Sequence, residues 1–121
     1  MAHVLVIDDE ELARYTVREI LEGFDHSIIE AKNGNEGIEQ FHNNDIDLII
    51  TDIIMPEKEG VEMIIELKRE DPNLKIIAIS GGGRTRNLDF LQLANEFGAD
   101  KVLSKPFSSA DLISAVNACL T

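Results

Sequence analysis

Three aspartates stand at positions in this sequence where an ionised side chain is costly. Asp8 and Asp9 follow the apolar run of residues 4–7, and Asp52 lies within the largely apolar stretch of residues 48–54. Burial of a carboxylate costs several kcal/mol unless the group is paired with a cation or coordinates a metal. Carboxylate oxygens are ligands that Mg2+ prefers. The three residues therefore indicate an acidic, metal-dependent site.

Two further polar residues follow later apolar runs. Ser80 comes after residues 75–79, and Lys105 comes after residues 101–104. Acidic groups, a metal, a hydroxyl and an ammonium are together the parts that hold a phosphoryl group on an acidic nucleophile. Each residue alone has an ordinary alternative, because most serines are loop hydroxyls and a lysine before proline is often a solvated turn residue. The joint placement of these groups after separate strands favours the phosphoryl site.

The elements that must position these residues alternate five times along the chain. The predicted strands are residues 4–7, 27–31, 47–51, 75–79 and 101–104. The predicted helices are residues 10–23, 35–43, 60–70 and 86–97, and a last helix that opens at residues 108–111. This alternation predicts an α/β fold, a flavodoxin-like (βα)5 doubly wound parallel sheet of order 2-1-3-4-5 with helices on both faces. In that order strands 1 and 3 are neighbours, so their terminal carboxylates should meet.

Local alternatives remain for two of these features. Asp8 can instead cap the first helix, with Glu11 completing a capping box, although this explains neither Asp9 nor Asp52. The triplet Gly81–Gly83 is either a phosphate cradle or a flexible loop. We also expect a turn at Asn33-Gly34.

Composition limits the partners. The 121 residues predict one domain over 1–121, and the net charge of −12 at pH 7 argues against nucleic acid and anionic membranes as direct partners. The single cysteine, Cys119, fits a reducing cytoplasm. No apolar run approaches the ~20 residues of a membrane helix. We therefore expect a cytoplasmic domain without membrane insertion.

With these residues in place, the sequence resembles a known family, the receiver (phosphoacceptor) domains of two-component response regulators, and in particular their single-domain chemotaxis-regulator type. The resemblance covers the whole chain. It is carried by Asp8-Asp9, by Asp52 with Met55-Pro56 and Gly60, by Ser80, and by Gly98-Ala99-Asp100 leading to Lys105-Pro106-Phe107.

The resemblance implies that Asp52 is phosphorylated by a sensor histidine kinase or a histidine phosphotransfer protein. It also implies that Asp9 and Asp52 bind Mg2+ directly (Mn2+ is an alternative), that Asp8 binds it mostly through water, and that the backbone carbonyl of Ile54 is a further ligand. Such a chain is a signalling phosphoacceptor and not an enzyme. It takes phosphoryl groups from small donors and slowly dephosphorylates itself.

The same resemblance implies how the signal leaves the site. Ser80 and Lys105 would bind the phosphoryl oxygens, and the Lys105–Pro106 peptide bond would be cis. Phosphorylation would switch a surface around the fourth helix, the fifth strand and the last helix, which a downstream protein recognises. The chain would be a monomer or a weak, phosphorylation-dependent dimer.

Three departures from the family pattern predict modulation of this signal. Val102 replaces the aromatic residue common three positions before the lysine, so we expect no switching by ring rotation. The longer segment from Gly81 and Gly82 to Arg86 is then predicted to take over part of the switching, the alternative being a solvated loop. Ile54 replaces a residue that is often polar, and its bulk should shield the phosphoryl group from water; we expect slower dephosphorylation than in Ile54→Asn.

Other functions fit the sequence less well. A haloacid-dehalogenase-type phosphatase needs an aspartate where Ile54 stands, and a flavin-binding module needs a hydroxyl- and glycine-rich loop where Asp8–Glu11 stand. A degenerate receiver would lack part of the acidic and Ser/Lys set. The remaining alternatives are a phosphorelay intermediate, or a receiver cut from a longer regulator with a DNA-binding or enzymatic output domain.

Overall fold

The protein is described by a computed structural model over residues 2–52, 59–80 and 98–121. The strands are β1 (His3–Ile7), β2 (Ser27–Ala31), β3 (Leu48–Asp52), β4 (Lys75–Ser80) and β5 (Lys101–Ser104). The helices are α1 (Glu11–Glu22), α2 (Gly34–Asn43), α3 (Glu59–Glu70) and, last in the chain, α4 (Ser109–Leu120). The predicted helix at 86–97 lies outside the described residues, as do Ile54, Gly81 and Gly82.

All five strands form one parallel sheet of order β2-β1-β3-β4-β5. This confirms the predicted fold class and strand order. Val4 pairs with Ile28 of β2 on one side and with Leu48 of β3 on the other. The interior strand β1 therefore ends beside the central strand β3, and the residues that follow β1 lie next to the end of β3.

Alternate residues of the strands supply two separate apolar cores. Leu5 and Ile7 belong to the core on the side of α2 and α3, whereas Val4 and Val6 belong to the core on the side of α1 and α4. A strand buried on both faces reads as a continuous apolar run, because each face needs its own apolar side chains. This explains why the short runs predicted the strands.

The start of α2 differs from the sequence-based expectation. The side chain of Asn33 accepts a hydrogen bond from the backbone N–H of Glu36 at 2.7 Å, and the helix begins at Gly34. The Asn33-Gly34 pair is therefore a helix cap and first turn, not a separate turn. Gly60, the predicted first residue of the third helix, lies one residue inside α3, which begins at Glu59.

The end of α1 also differs. The helix ends at Glu22, and Gly23 keeps a right-handed conformation with φ of −63°. Asp25 adopts the left-handed conformation instead, with φ of 66°. Phe24 continues the helical spacing of Val17, Ile20 and Leu21, but it lies beyond the end of α1 and is 55% exposed. No helix in the described part of the chain is long and apolar enough to cross a lipid bilayer.

Candidate functional site

The parallel sheet brings the three predicted aspartates together at its carboxyl edge. Carboxylate oxygens of Asp8, Asp9 and Asp52 all lie within 4.8 Å of one another. Asp8 and Asp52 are each only 5% exposed, whereas Asp9 is exposed to solvent. Like charges at this spacing repel, and hard oxygen donors on one concave edge are suited to a divalent cation that keeps some of its water. The donor set therefore fits Mg2+ or Mn2+.

Lys105 supplies the cationic side chain of the site. Its Nζ lies 3.3 Å from Oδ2 of Asp8 and 3.3 Å from Oδ2 of Asp52. Burial alone would lower the pKa of Lys105, but the carboxylates of Asp52 and Asp8 outweigh it and raise the pKa above its ordinary value. The ammonium group is therefore firmly protonated at neutral pH. One charged lysine bridges the ends of β1 and β3.

Asp8 is held through both of its carboxylate oxygens. Oδ1 accepts a hydrogen bond from the backbone N–H of Glu10 at 2.9 Å, and Oδ2 faces Lys105. Burial raises the pKa of Asp8 above its ordinary value, although the bond from Glu10 and the charge of Lys105 act against this. The alternative in which Asp8 caps α1 is wrong, because Glu10 occupies the N-cap position and no side chain caps it.

The other predicted residues lie near this edge as far as the structure describes them. The backbone of Ser80 ends β4 and pairs with Ser104 of β5. The peptide bond between Lys105 and Pro106 is cis, the geometry that the family resemblance implies. Val102 on β5 is 39% exposed.

An open groove adjoins the acidic cluster. It has a volume of about 460 Å³ and lies between the first turns of α1 and the segment that joins β5 to α4. Its lining includes the charged Asp8 and Lys105 and the apolar Leu12, Ile20 and Phe107, together with polar residues such as Thr16. A macromolecule seated here would contact both the acidic site and an apolar surface.

Arg14 was not predicted from the sequence, yet it contacts this site. Its Nη1 donates to the backbone oxygen of Asp8 at 2.7 Å, and its Nε donates to Glu30 at 3.0 Å. Apolar spacing assigns the inner face of α1 but says nothing about its charged positions. A basic residue one turn after an acidic loop was the available signal, and it is a weak one.

Comparison with known proteins gives one consistent result. The family model described as "Response regulator receiver domain" matches residues 4–117. The chain is 36% identical to chemotaxis protein CheY of Halobacterium salinarum, over 98% of this chain and 96% of that protein. It is 34% identical to the aerobic respiration control protein ArcA of Escherichia coli K12, over 91% of this chain but only 44% of that longer protein.

Solved structures agree with these sequence matches. The response regulator receiver domain protein of Clostridium thermocellum superposes with a TM-score of 0.90 at 34% identity, covering 99% of this chain and 94% of that one. The beryllofluoride-activated NtrC4 receiver domain dimer gives a TM-score of 0.87 at 30% identity, with 98% and 96% coverage. The chain belongs to the receiver domain family of two-component response regulators.

Proposed function

We propose that Asp52 accepts a phosphoryl group from a histidine kinase or histidine phosphotransfer protein, and that the chain passes this signal to a downstream protein. Receiver domains in general bind Mg2+ in an acidic pocket and interact with histidine kinases. One observation supports the assignment here: Asp52 shares a cluster with Asp8 and Asp9, and Lys105 lies 3.3 Å from its carboxylate. Two buried carboxylates are costly to the fold, which favours a functional reason for the cluster.

The reaction follows from the charges of the site. An oxygen of Asp52 attacks the phosphorus of the donor, the phosphorus–nitrogen bond of the phosphohistidine breaks, and its electron pair leaves with the imidazole. Lys105 favours the ionised, nucleophilic form of Asp52, because its ammonium lies beside that carboxylate. The same ammonium then lies close enough to donate to an oxygen of the transferred group.

The metal would be held by Asp8, Asp9 and Asp52, with the carbonyl of Ile54 as a further ligand. When bound, Mg2+ or Mn2+ supplies positive charge that neutralises the phosphoryl oxygens in the transition state. The burial of Asp8 and the hydrogen bond that it accepts from Glu10 orient its carboxylate before any ligand arrives. The exposed position of Asp9 leaves the site accessible to solvent.

The output is proposed to be a change in protein contacts and not catalysis of a metabolic reaction. A new phosphoryl group on Asp52 would attract the side chains of Ser80 and Lys105. This would alter the surface formed by the helix predicted at residues 86–97, by β5 and by the last helix, α4. Val102 lies exposed on β5, where no aromatic ring is present to rotate. The NtrC4 receiver domain is a dimer in its beryllofluoride-activated form, which supports the proposal that this chain is a monomer or a weak, phosphorylation-dependent dimer. We further propose that the chain acts in the reducing cytoplasm and that its target is a protein.

The direct test is labelling by a small phosphodonor. Wild-type protein incubated with acetyl phosphate and Mg2+ should gain one phosphoryl group by intact-mass spectrometry, and hydroxylamine should remove it, because the product is an acyl phosphate. Asp52→Asn should not be labelled. Asp45→Asn is the matched control, since Asp45 is exposed, precedes the same strand and undergoes the same change of charge.

Two outcomes would refute the proposal. Labelling of Asp52→Asn to the wild-type level would place the acceptor elsewhere. Failure of the wild type to accept a phosphoryl group from acetyl phosphate and from purified histidine kinases, with Mg2+ present, would remove the phosphoacceptor function altogether.

A further inference from the structure

Arg14 connects the acidic edge of the site to the outer strand β2. Its guanidinium donates from Nη1 to the backbone oxygen of Asp8 and from Nε to Oε1 of Glu30. The Arg14 side chain is only 15% exposed. Glu30 is held in turn, because its second oxygen accepts from Arg18 at 2.7 Å. The donor to Asp8 is therefore itself fixed.

The bond occurs where the regular pairing of β1 with β2 ends. The last paired residues are Ile7 and Ala31, and the N–H of Asp8 still donates to the oxygen of Ala31 at 3.1 Å. After this pair β2 ends, and the chain continues into the N-cap of α2. The next backbone acceptor of the β1 chain, the oxygen of Asp8, accepts its hydrogen bond from the guanidinium of Arg14. The Arg14 side chain thus supplies a hydrogen bond where the backbone hydrogen bonds between β1 and β2 have ended.

The bonded oxygen belongs to the peptide group that carries Asp9. The carbonyl of Asp8 and the nitrogen of Asp9 lie in one rigid plane. Holding the oxygen therefore fixes the direction in which the chain enters Asp9. Within the described part of the chain, the exposed Asp9 carboxylate makes no hydrogen bond or ion pair of its own. Its orientation depends on the backbone that precedes it.

We infer that Arg14 is a positioning residue for the metal site, which preorganises Asp9 through the Asp8 carbonyl. This rests on the proposed function, since it assumes that Asp9 binds a divalent cation. Outer partners that orient metal ligands commonly change affinity by 10- to 100-fold. Arg14 acts through a backbone group and not on the ligand atom, so its loss should weaken Mg2+ binding by about three- to tenfold.

Loss of the Arg14 charge and loss of its contact with Asp8 should change Mg2+ affinity in opposite directions, so the measured direction shows which effect is larger. Removing a positive charge beside an acidic site strengthens cation binding, whereas removing a positioning contact weakens it. Arg14→Met should therefore bind Mg2+ more weakly than wild type in calorimetric titrations. Arg18→Met is the matched control, because it loses the same charge and a contact to the same Glu30 but does not reach Asp8. It should bind Mg2+ as tightly as wild type or slightly more tightly.

Arg14→Lys separates charge from geometry. Lysine keeps the charge but cannot donate from one planar group to Asp8 and Glu30 together, so its affinity should fall between those of wild type and Arg14→Met. A measurement without metal completes the experiment. In Mg2+-free protein, the backbone amide of Asp9 should show lower 15N order parameters in Arg14→Met than in Arg18→Met.

The outcomes distinguish the inference from the function on which it rests. Equal or tighter Mg2+ binding by Arg14→Met, or unchanged order at Asp9, would overturn the positioning role while leaving phosphorylation of Asp52 intact. Absence of Mg2+ binding by the wild type would overturn the metal site, and with it both proposals. Weaker binding and lower order confined to the Arg14 variants would support the inference.

Discussion

Replacement of Lys105 by methionine tests the charge balance of the site. Its Nζ lies 3.3 Å from an oxygen of Asp8 and of Asp52, and at an effective dielectric constant of about 20 each pair attracts by about 5 kcal/mol. Desolvation of the three groups and the partial exposure of the lysine offset most of this attraction. We expect a net loss of about 1–2 kcal/mol in unfolding free energy without Mg2+, or about 4–8 °C in Tm for a chain of this length.

Metal affinity should change in the opposite direction. The ammonium of Lys105 competes with a divalent cation for the same two carboxylates, so Lys105→Met should bind Mg2+ more tightly than wild type. Saturating Mg2+ should then restore much of the lost stability, because a ligand stabilises the folded state in proportion to the logarithm of its concentration over Kd. Urea unfolding monitored by circular dichroism, with and without Mg2+, measures both effects.

Lys68→Met provides the control. Lys68 lies 3.2 Å from Asp100, in an ion pair remote from the acidic cluster. Its replacement should lower stability by a similar or smaller amount, and Mg2+ should not change that loss. If Mg2+ leaves the difference between Lys105→Met and wild type unchanged, the lysine and the metal do not share their carboxylates, and the assignment of the site is wrong.

Two further predictions concern the supporting structure. Arg18 chiefly holds the pKa of Glu30 below its ordinary value of 4.5, against the effect of burial. This stabilisation is present above pH 4.5 and is lost as the pH falls through the folded-state pKa. Glu30→Gln should lower unfolding free energy by about 0.5–1 kcal/mol at neutral pH; a loss of the same size in strong acid would contradict the ion-pair account. A Cβ on Gly37 would lie 2.5 Å from Cδ1 of Ile7. Gly37→Ala should therefore lower the unfolding free energy by about 1–2 kcal/mol, although alanine has a better helix propensity than glycine. Thermal unfolding measures this loss. Gly23→Ala is the control, because it requires no shift in the core and should leave Tm nearly unchanged. Equal Tm values for the two variants would show that α2 accommodates the added methyl group and would contradict the prediction.

The sheet and the acidic edge could be predicted from sequence because the same physical constraint produces both patterns. A parallel strand covered on both faces must be apolar along its length, so the polar residues at its carboxyl end are conspicuous. Asp8, Asp9 and Asp52 each follow or end such a run, whereas Lys105 follows β5, an edge strand whose residues are mostly exposed. Once the strand order is known, their separation in sequence no longer matters, and the structure places them around one point.

The remaining features depend on tertiary geometry that local patterns do not contain. Helical spacing continues through Phe24, but α1 ends at Glu22 and the ring lies in solvent. Asn33 favours a turn and a helix cap equally well, and only the bond that it accepts from Glu36 decides between them. The contact of Arg14 with Asp8 is less predictable still, because it requires the position of a second strand.

The order of the strands also has a kinetic consequence. Pairing of Val4 with Ile28 closes a short loop, whereas its pairing with Leu48 closes a loop nearly twice as long, which costs about 0.5 kcal/mol more in chain entropy. Asp8 and Asp52 come together only through this second, more distant pairing. The pairing of β1 with β2 alone does not bring Asp52 to Asp8 and Asp9. The proposed phosphoacceptor site is therefore complete only when β1 has paired with β3.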